Sequence, residues 1–84
     1  MKNRELGELL KYSSPYSILV VTWRNKLIEL KTPFQVQLIQ DIGELKKDEL
    51  AIVSLVKLAT NMKTVFIIEN KAYFYYYFKI VIGE

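Results

Sequence analysis

Few of the side chains in this sequence are suited to chemistry. The chain contains no histidine and no cysteine, which removes the usual metal ligand, the best acid–base group near neutral pH and all thiol chemistry. The remaining acidic pairs, Asp48 with Glu49 and Asp41 with Glu44, lie among lysines in segments typical of turns, so we expect them to be solvated. The glycines are isolated from one another and form no phosphate-binding loop. The sequence therefore predicts neither an enzyme nor a cofactor or metal site.

The strongest candidate for a functional surface is an aromatic segment near the C-terminus. Four of the six tyrosines and three of the four phenylalanines lie between residues 63 and 82. Tyrosines are favoured at protein interfaces because they bury a large area at a small cost in entropy. Aromatic rings flanked by cations can also stack nucleic-acid bases. One side of this segment carries the candidate interaction residues Phe66, Tyr73, Tyr75, Tyr77, Lys71 and Lys79.

Three interpretations of this aromatic surface are open. In the first, the chain is a non-catalytic module that self-associates or binds a protein partner through it. In the second, the same tyrosines and lysines bind nucleic acid or a nucleotide. In the third, Leu6, Leu9 and Leu10 of an N-terminal helix cover the surface as a second layer of core. Trp23 with Arg24 is a lesser candidate site, since a tryptophan there is more typical of a core.

The aromatic segment is rich in β-branched and aromatic residues, which predicts two strands around a short turn. With Asn70 and Lys71 at the centre of the turn, Ile68 pairs with Tyr73 and its neighbours follow in register. Both faces of this hairpin are apolar. One face can close the core, and the other needs a cover.

An earlier hairpin is predicted in the same way, with Asn25 and Lys26 at the centre of a two-residue turn. This register pairs Trp23 with Ile28 and places apolar side chains on one face and mostly polar side chains on the other. A slip of one residue would destroy this segregation. The sequence therefore predicts that Trp23 lies on the core face.

The remaining elements are predicted from capping and periodicity. Residues 3–11 are typical of a short helix capped by Asn3, with a stripe of leucines. Residues 35–40 alternate as a half-buried strand does. Residues 45–61 fit either a strand over 51–58 or a helix, because periodicity alone does not separate the two in a short apolar run.

Length and charge indicate one small domain covering residues 1–84. The net charge of +3 is carried by lysines spread along the chain, so it favours solubility over a nucleic-acid groove. The longest uncharged run is too short to span a bilayer, and Glu5 and Glu8 interrupt any signal-peptide core. We therefore expect a cytoplasmic protein without a membrane segment.

Two stretches resemble SH3-like small barrels of bacterial and phage proteins. In residues 45–53 a charged turn leads into a valine-containing strand (Leu-Lys-Lys-Asp-Glu-Leu-Ala-Ile-Val), although Asp48 stands where glycine is usual. Residues 73–80 (Tyr-Phe-Tyr-Tyr-Tyr-Phe-Lys-Ile) are similar to the last strand of such barrels. The resemblance covers residues 36–82. It implies no functional residue, because such barrels bind peptides, nucleic acids or no known ligand.

Two fold classes follow from these observations. The first is a mainly β fold, a small SH3-like partly open barrel with a short N-terminal helix. The alternative is an α+β fold, in which two hairpins form an antiparallel sheet packed on a helix at residues 44–60. The conformation of that one segment distinguishes the two.

Overall fold

The computed structural model describes residues 5–83, and these residues are mainly β, as the sequence predicts. They form nine strands and one short 3₁₀ helix: β1 (Glu5–Ser14), β2 (Ser17–Thr22), β3 (Leu27–Lys31), β4 (Phe34–Leu38), β5 (Leu50–Val53), β6 (Leu55–Leu58), β7 (Thr64–Ile68), β8 (Lys71–Phe74), the 3₁₀ helix (Tyr75–Tyr77) and β9 (Phe78–Gly83).

These strands form two antiparallel sheets. The first has six strands in the order β3-β2-β1-β9-β4-β5, and the second has three in the order β6-β7-β8. The chain crosses from the second sheet to the first through the 3₁₀ helix between β8 and β9. Within the described residues the sheets are not closed into a barrel, because β3 and β5 end the first sheet and β6 and β8 end the second.

The core lies between the two sheets and follows the alternation of the strands. In β4, Val36 and Leu38 are buried while Gln35 and Gln37 are half-buried, which confirms the strand predicted from this alternation. The segments expected to be turns, around residues 41–44 and 60–63, contain no helix or strand.

β1 takes the place of the predicted N-terminal helix. That prediction is wrong for residues 5–11, and residues 3 and 4 lie outside the described part of the chain. A Cβ at Gly7 would lie 2.6 Å from Val20 Cγ1 and 3.2 Å from Ile82 Cδ1, so β1 fits between β2 and β9 because position 7 has no side chain. A helix this short is marginally stable alone. Pairing with β2 and β9 stabilises the segment more than the leucine stripe of a helix would.

The hairpin of β2 and β3 forms, but in a different register from the predicted one. Val20 pairs with Ile28, three residues away from its predicted partner. The turn therefore spans residues 22–26 instead of two residues. Thr22 closes it: its N–H donates to the Lys26 carbonyl at 2.8 Å, and its Oγ1 accepts from two N–H groups of the turn.

Because the register differs by an odd number of residues, the face of β2 that meets the core is the opposite of the predicted one. Ile18 and Val20 point into the core and are buried, while Val21 is half-buried on the outer face. Trp23 is 66% exposed, so the prediction that it belongs to the core is wrong. The Arg24 guanidinium lies 5.0 Å from the centre of the Trp23 ring, within the range of a cation–π contact.

The second predicted hairpin is formed by β7 and β8, with its register shifted by two residues. Phe66 pairs with Tyr73 instead of Tyr75, so the turn residues are Glu69 and Asn70. Both have positive φ, 51° and 65°, as a type I′ turn requires. Because the shift is even, residues of β7 and β8 stay on the faces that the sequence predicts for them.

Residues 45–61 contain β5 and β6 and no helix. The strand interpretation is confirmed, and the α+β alternative is wrong. β5 pairs with β4 and β6 with β7, so one apolar run serves both sheets. The change of sheet occurs at Ser54, whose N–H and Oγ both donate to the Ile67 carbonyl, at 3.0 Å and 3.2 Å. A helix would leave Val53 solvated, whereas here it is buried.

Candidate protein-binding surface

The residues predicted as one interaction surface lie in several different environments. Phe66 is fully buried, with its ring 5.4 Å from that of Phe34 and 5.8 Å from that of Phe78, so it belongs to the core and to no surface. Tyr73 is half-buried. Its ring meets Phe78 edge-on at 6.1 Å and lies against the loop at Gly43.

Both lysines of the predicted surface form ion pairs. Lys71 Nζ lies 3.5 Å from Glu44 Oε1, and Lys79 Nζ donates a hydrogen bond to Glu8 Oε2. This hydrogen bond, together with the charge of Lys79, lowers the pKa of Glu8 below its ordinary value of 4.5. Because Lys71 belongs to β8 and Lys79 to β9, the two cations lie in different sheets and do not flank a common aromatic face.

Tyr75, Tyr76 and Tyr77 form the 3₁₀ helix, where the sequence predicted a continuous strand. With three residues per turn, such a helix points three successive side chains in different directions. Tyr76 is the most exposed of the three, and its ring stacks on Phe74 at 5.5 Å with an interplanar angle of 10°. Burial, together with repulsion from the Tyr76 phenolate when that group ionises, raises the pKa of Tyr77 above its ordinary value.

A groove lined by apolar, aromatic and basic side chains runs between β1 and the turn that joins β6 to β7. We call it the Met62 groove; its volume is about 360 Å³. Met62 is 73% exposed and Leu10 57% exposed. One exposed apolar side chain is ordinary, but several that line the same groove are informative. The apolar and aromatic lining consists of Leu9, Leu10, Tyr12, Leu58, Met62 and Tyr75.

A β-bulge places consecutive leucines of β1 in this groove. Leu9 pairs with Val20 and Lys11 with Leu19, so Leu10 has no partner in the ladder with β2. An extra residue of this kind bends the strand and redirects its side chains. Leu9 and Leu10 both line the groove as a result, although neighbours in a regular strand point to opposite faces.

The surface continues beyond the groove into a depression whose lining is more polar. A second depression, of about 290 Å³, lies next to it and shares Leu9 and Tyr75 with it. Its other lining residues include Ile39 and Tyr76, which are both exposed. The two depressions form one surface, to which the 3₁₀ helix contributes Tyr75 and Tyr76.

The rim of the Met62 groove is positively charged. Lys11 and Lys63 line it, and Lys63 Nζ lies 5.4 Å from the centre of the Tyr76 ring. Among the described residues neither lysine forms an ion pair. Glu8, which lines the second depression, is paired with Lys79.

The residues described by the structure contain no cluster of acidic side chains that could hold a metal ion. None of their helices is long and apolar enough to cross a membrane. Comparisons with protein-family models, with curated proteins and with solved structures found no match.

The sequence pointed to part of this surface and missed the rest. Tyr75 belongs to the predicted set, and Leu9 and Leu10 were expected to cover the tyrosines from a helix. Leu58 and Met62 do not belong to that set, because they come from a different part of the chain. The available signal was Met62 itself, a large apolar residue in a segment that was expected to be a solvated turn.

Proposed function

We propose that this chain is a non-catalytic interaction module that binds a protein partner through the Met62 groove. The observation that carries the proposal is that exposed large apolar side chains from separate segments share one surface. Leu10, Leu58 and Met62 line the groove, and Tyr76 lines the adjoining depression. Contiguous apolar surface of this kind, rimmed by polar groups, is typical of protein-binding sites. Tyrosine and methionine are both enriched in such interfaces.

The charge of the rim favours a particular kind of partner. Lys11 and Lys63 border the apolar lining, so a segment with apolar anchors flanked by aspartate or glutamate complements it. A second copy of the chain fits less well here, because a two-fold contact through the same groove would bring these lysines together. We therefore propose an acidic, partly apolar segment of a different protein as the occupant.

Nucleic acid is the less favoured ligand. Lys71 and Lys79, the cations assigned to it from the sequence, are paired with carboxylates. The lining of the groove includes the aliphatic side chains of Leu10 and Leu58, whereas single-stranded nucleic acid is bound by stacking on aromatic rings along a cationic path.

A partly open SH3-like barrel is our proposal for the fold family. Two features support it: two antiparallel sheets share one core, and a long apolar run bends at Ser54 to serve both. Asp48, where the resembled turn has glycine, has a φ of 71°, a conformation that glycine adopts most readily.

A peptide-display selection against the folded chain tests the proposed function. We expect selected peptides to combine apolar residues with aspartate or glutamate and to bind in a fluorescence-polarisation assay. Met62→Asn should weaken this binding about tenfold, the equivalent of losing most of one buried apolar side chain. Asparagine suits this position because Met62 has a φ of 68°, which asparagine tolerates.

The matched control is Ile52→Thr, which changes another exposed apolar residue, in β5 and outside the groove, and should leave peptide affinity unchanged. Equal affinity of the selected peptides for wild type and Met62→Asn would overturn the proposal. So would salt-sensitive binding of a single-stranded oligonucleotide that competes with the peptides, because that result assigns the surface to nucleic acid.

A further inference from the structure

β3 is an edge strand whose outer side is paired with no strand in the described part of the chain. The N–H of Thr32, next to β3, donates to the Tyr16 carbonyl at 2.9 Å. Since backbone groups alternate in direction along a strand, those of Leu27, Glu29 and Lys31 point away from β2. Such a row of free donors and acceptors is a template for another strand.

Among the four strands at sheet edges in the described residues, β3 is the one best suited to pair with itself. It has five residues, and β5, β6 and β8 have four each. It is also the one that carries both signs of charge, at Glu29 and Lys31. β5 has no charged residue, while β6 and β8 have one lysine each, so self-pairing brings them no opposite charge.

We propose that two copies of this chain dimerise by antiparallel pairing of β3 with β3, with Leu30 of each copy on the two-fold axis. In this register Glu29 lies opposite Lys31 of the second copy, and the symmetry repeats that pair. These are the residues with free backbone groups, so each such pair also exchanges two backbone hydrogen bonds. Leu30, half-buried against the core, meets its own copy on the inner face.

Charge selects this register over its neighbours. A shift that places Glu29 on the axis sets two carboxylates directly opposite each other, which is destabilising. A shift that places Ile28 on the axis leaves Glu29 opposite Leu27 and removes both charge pairs. The ladder ends where the chain leaves β3 at Thr32 and Pro33, since proline has no N–H to donate.

Charge reversal tests the inference. We expect the wild-type chain to sediment as a dimer in analytical ultracentrifugation, and Glu29→Lys or Lys31→Glu to raise the dimer Kd about tenfold or more, because each sets two like-charged pairs across the interface. An equimolar mixture of the two variants should recover the dimer, since each charge then faces its opposite. Lys57→Glu, on the edge strand β6, is the matched control and should leave the dimer unchanged.

A wild-type chain that is monomeric at millimolar concentration overturns the inference. A dimer insensitive to both reversals, or a mixture of folded variants that stays monomeric, does so as well. Circular dichroism of each variant shows that the fold is retained. The inference does not depend on the proposed function, because β3 contributes no residue to the Met62 groove; both reversal variants should bind the selected peptides with unchanged affinity.

Discussion

Gly7→Ala is predicted to destabilise the fold by crowding the place where β1 meets its neighbours. The new methyl group would lie 2.6 Å from Val20 Cγ1, 3.0 Å from the Val21 carbonyl oxygen and 3.2 Å from Ile82 Cδ1. Favourable carbon–carbon contacts have separations of about 3.5–4.0 Å. Val20 is fully buried, so it has no solvent-filled space to move into, and the strands themselves must shift.

The magnitude follows from two opposing effects. Overpacking a core costs about 1–3 kcal/mol. Replacing glycine reduces the entropy of the unfolded chain and returns about 0.4–1 kcal/mol. We therefore expect Gly7→Ala to lower the free energy of unfolding by about 1–2 kcal/mol. In a domain of this size each kcal/mol corresponds to a fall in Tm of about 4–8 °C.

Urea unfolding followed by circular dichroism measures this loss. Val20→Ala removes the nearest clashing atom, so the double variant should be less destabilised than the sum of the two single variants by at least about 0.5 kcal/mol. Gly43→Ala is the control: its φ is 58°, and the nearest atom to its new methyl group is 3.8 Å away. It should destabilise through backbone strain alone and show no coupling to Val20→Ala.

Two results would refute the reasoning. One is a Gly7→Ala variant as stable as wild type, which would mean that β1 does not fit between β2 and β9 as closely as the structure shows. The other is strict additivity of Gly7→Ala and Val20→Ala, which would place the clash elsewhere.

Two further predictions concern a turn and an ion pair. Glu69→Asn should raise the free energy of unfolding by about 0.5–1 kcal/mol, because asparagine suits the positive φ of a type I′ turn better than glutamate; a loss of stability in urea unfolding would contradict this turn. In an NMR titration Lys79→Met should raise the pKa of Glu8 towards 4.5. The lowered pKa stabilises the fold above pH 4.5, and this stabilisation is lost as pH falls through the lowered value; an unchanged pKa would contradict the pair.

The strands with a local signal are the ones that the sequence predicts well. Alternation in residues 35–40 predicts β4, because it reports which side of a strand meets the core. The apolar run in residues 51–58 fits a strand or a helix, and it gives no sign of the break between β5 and β6. The leucine stripe of residues 6–10 led to the wrong prediction of a helix, because the same stripe fits a bulged strand. Only the close approach of β2 and β9 to Gly7 decides between them.

The two hairpins show the same limit. Their existence follows from composition, but their registers depend on which residues close the turns: the Thr22 side chain in one and Glu69 at positive φ in the other. Neither is a strong turn signal in sequence. Because the predicted register of the first hairpin differs from the observed one by three residues, Trp23 was placed on the core face, whereas it is exposed.

By itself, the sequence determined that the chain has no histidine or cysteine and carries an aromatic, strand-forming segment at residues 63–82. The tertiary structure decided which aromatic residues face solvent: Phe66 closes the core, and Tyr76 is exposed. It also decided that Leu10, Leu58 and Met62 meet beside Tyr75. The physical reason is that β pairing is non-local, so the position of each side chain depends on the register of every strand between it and its neighbours.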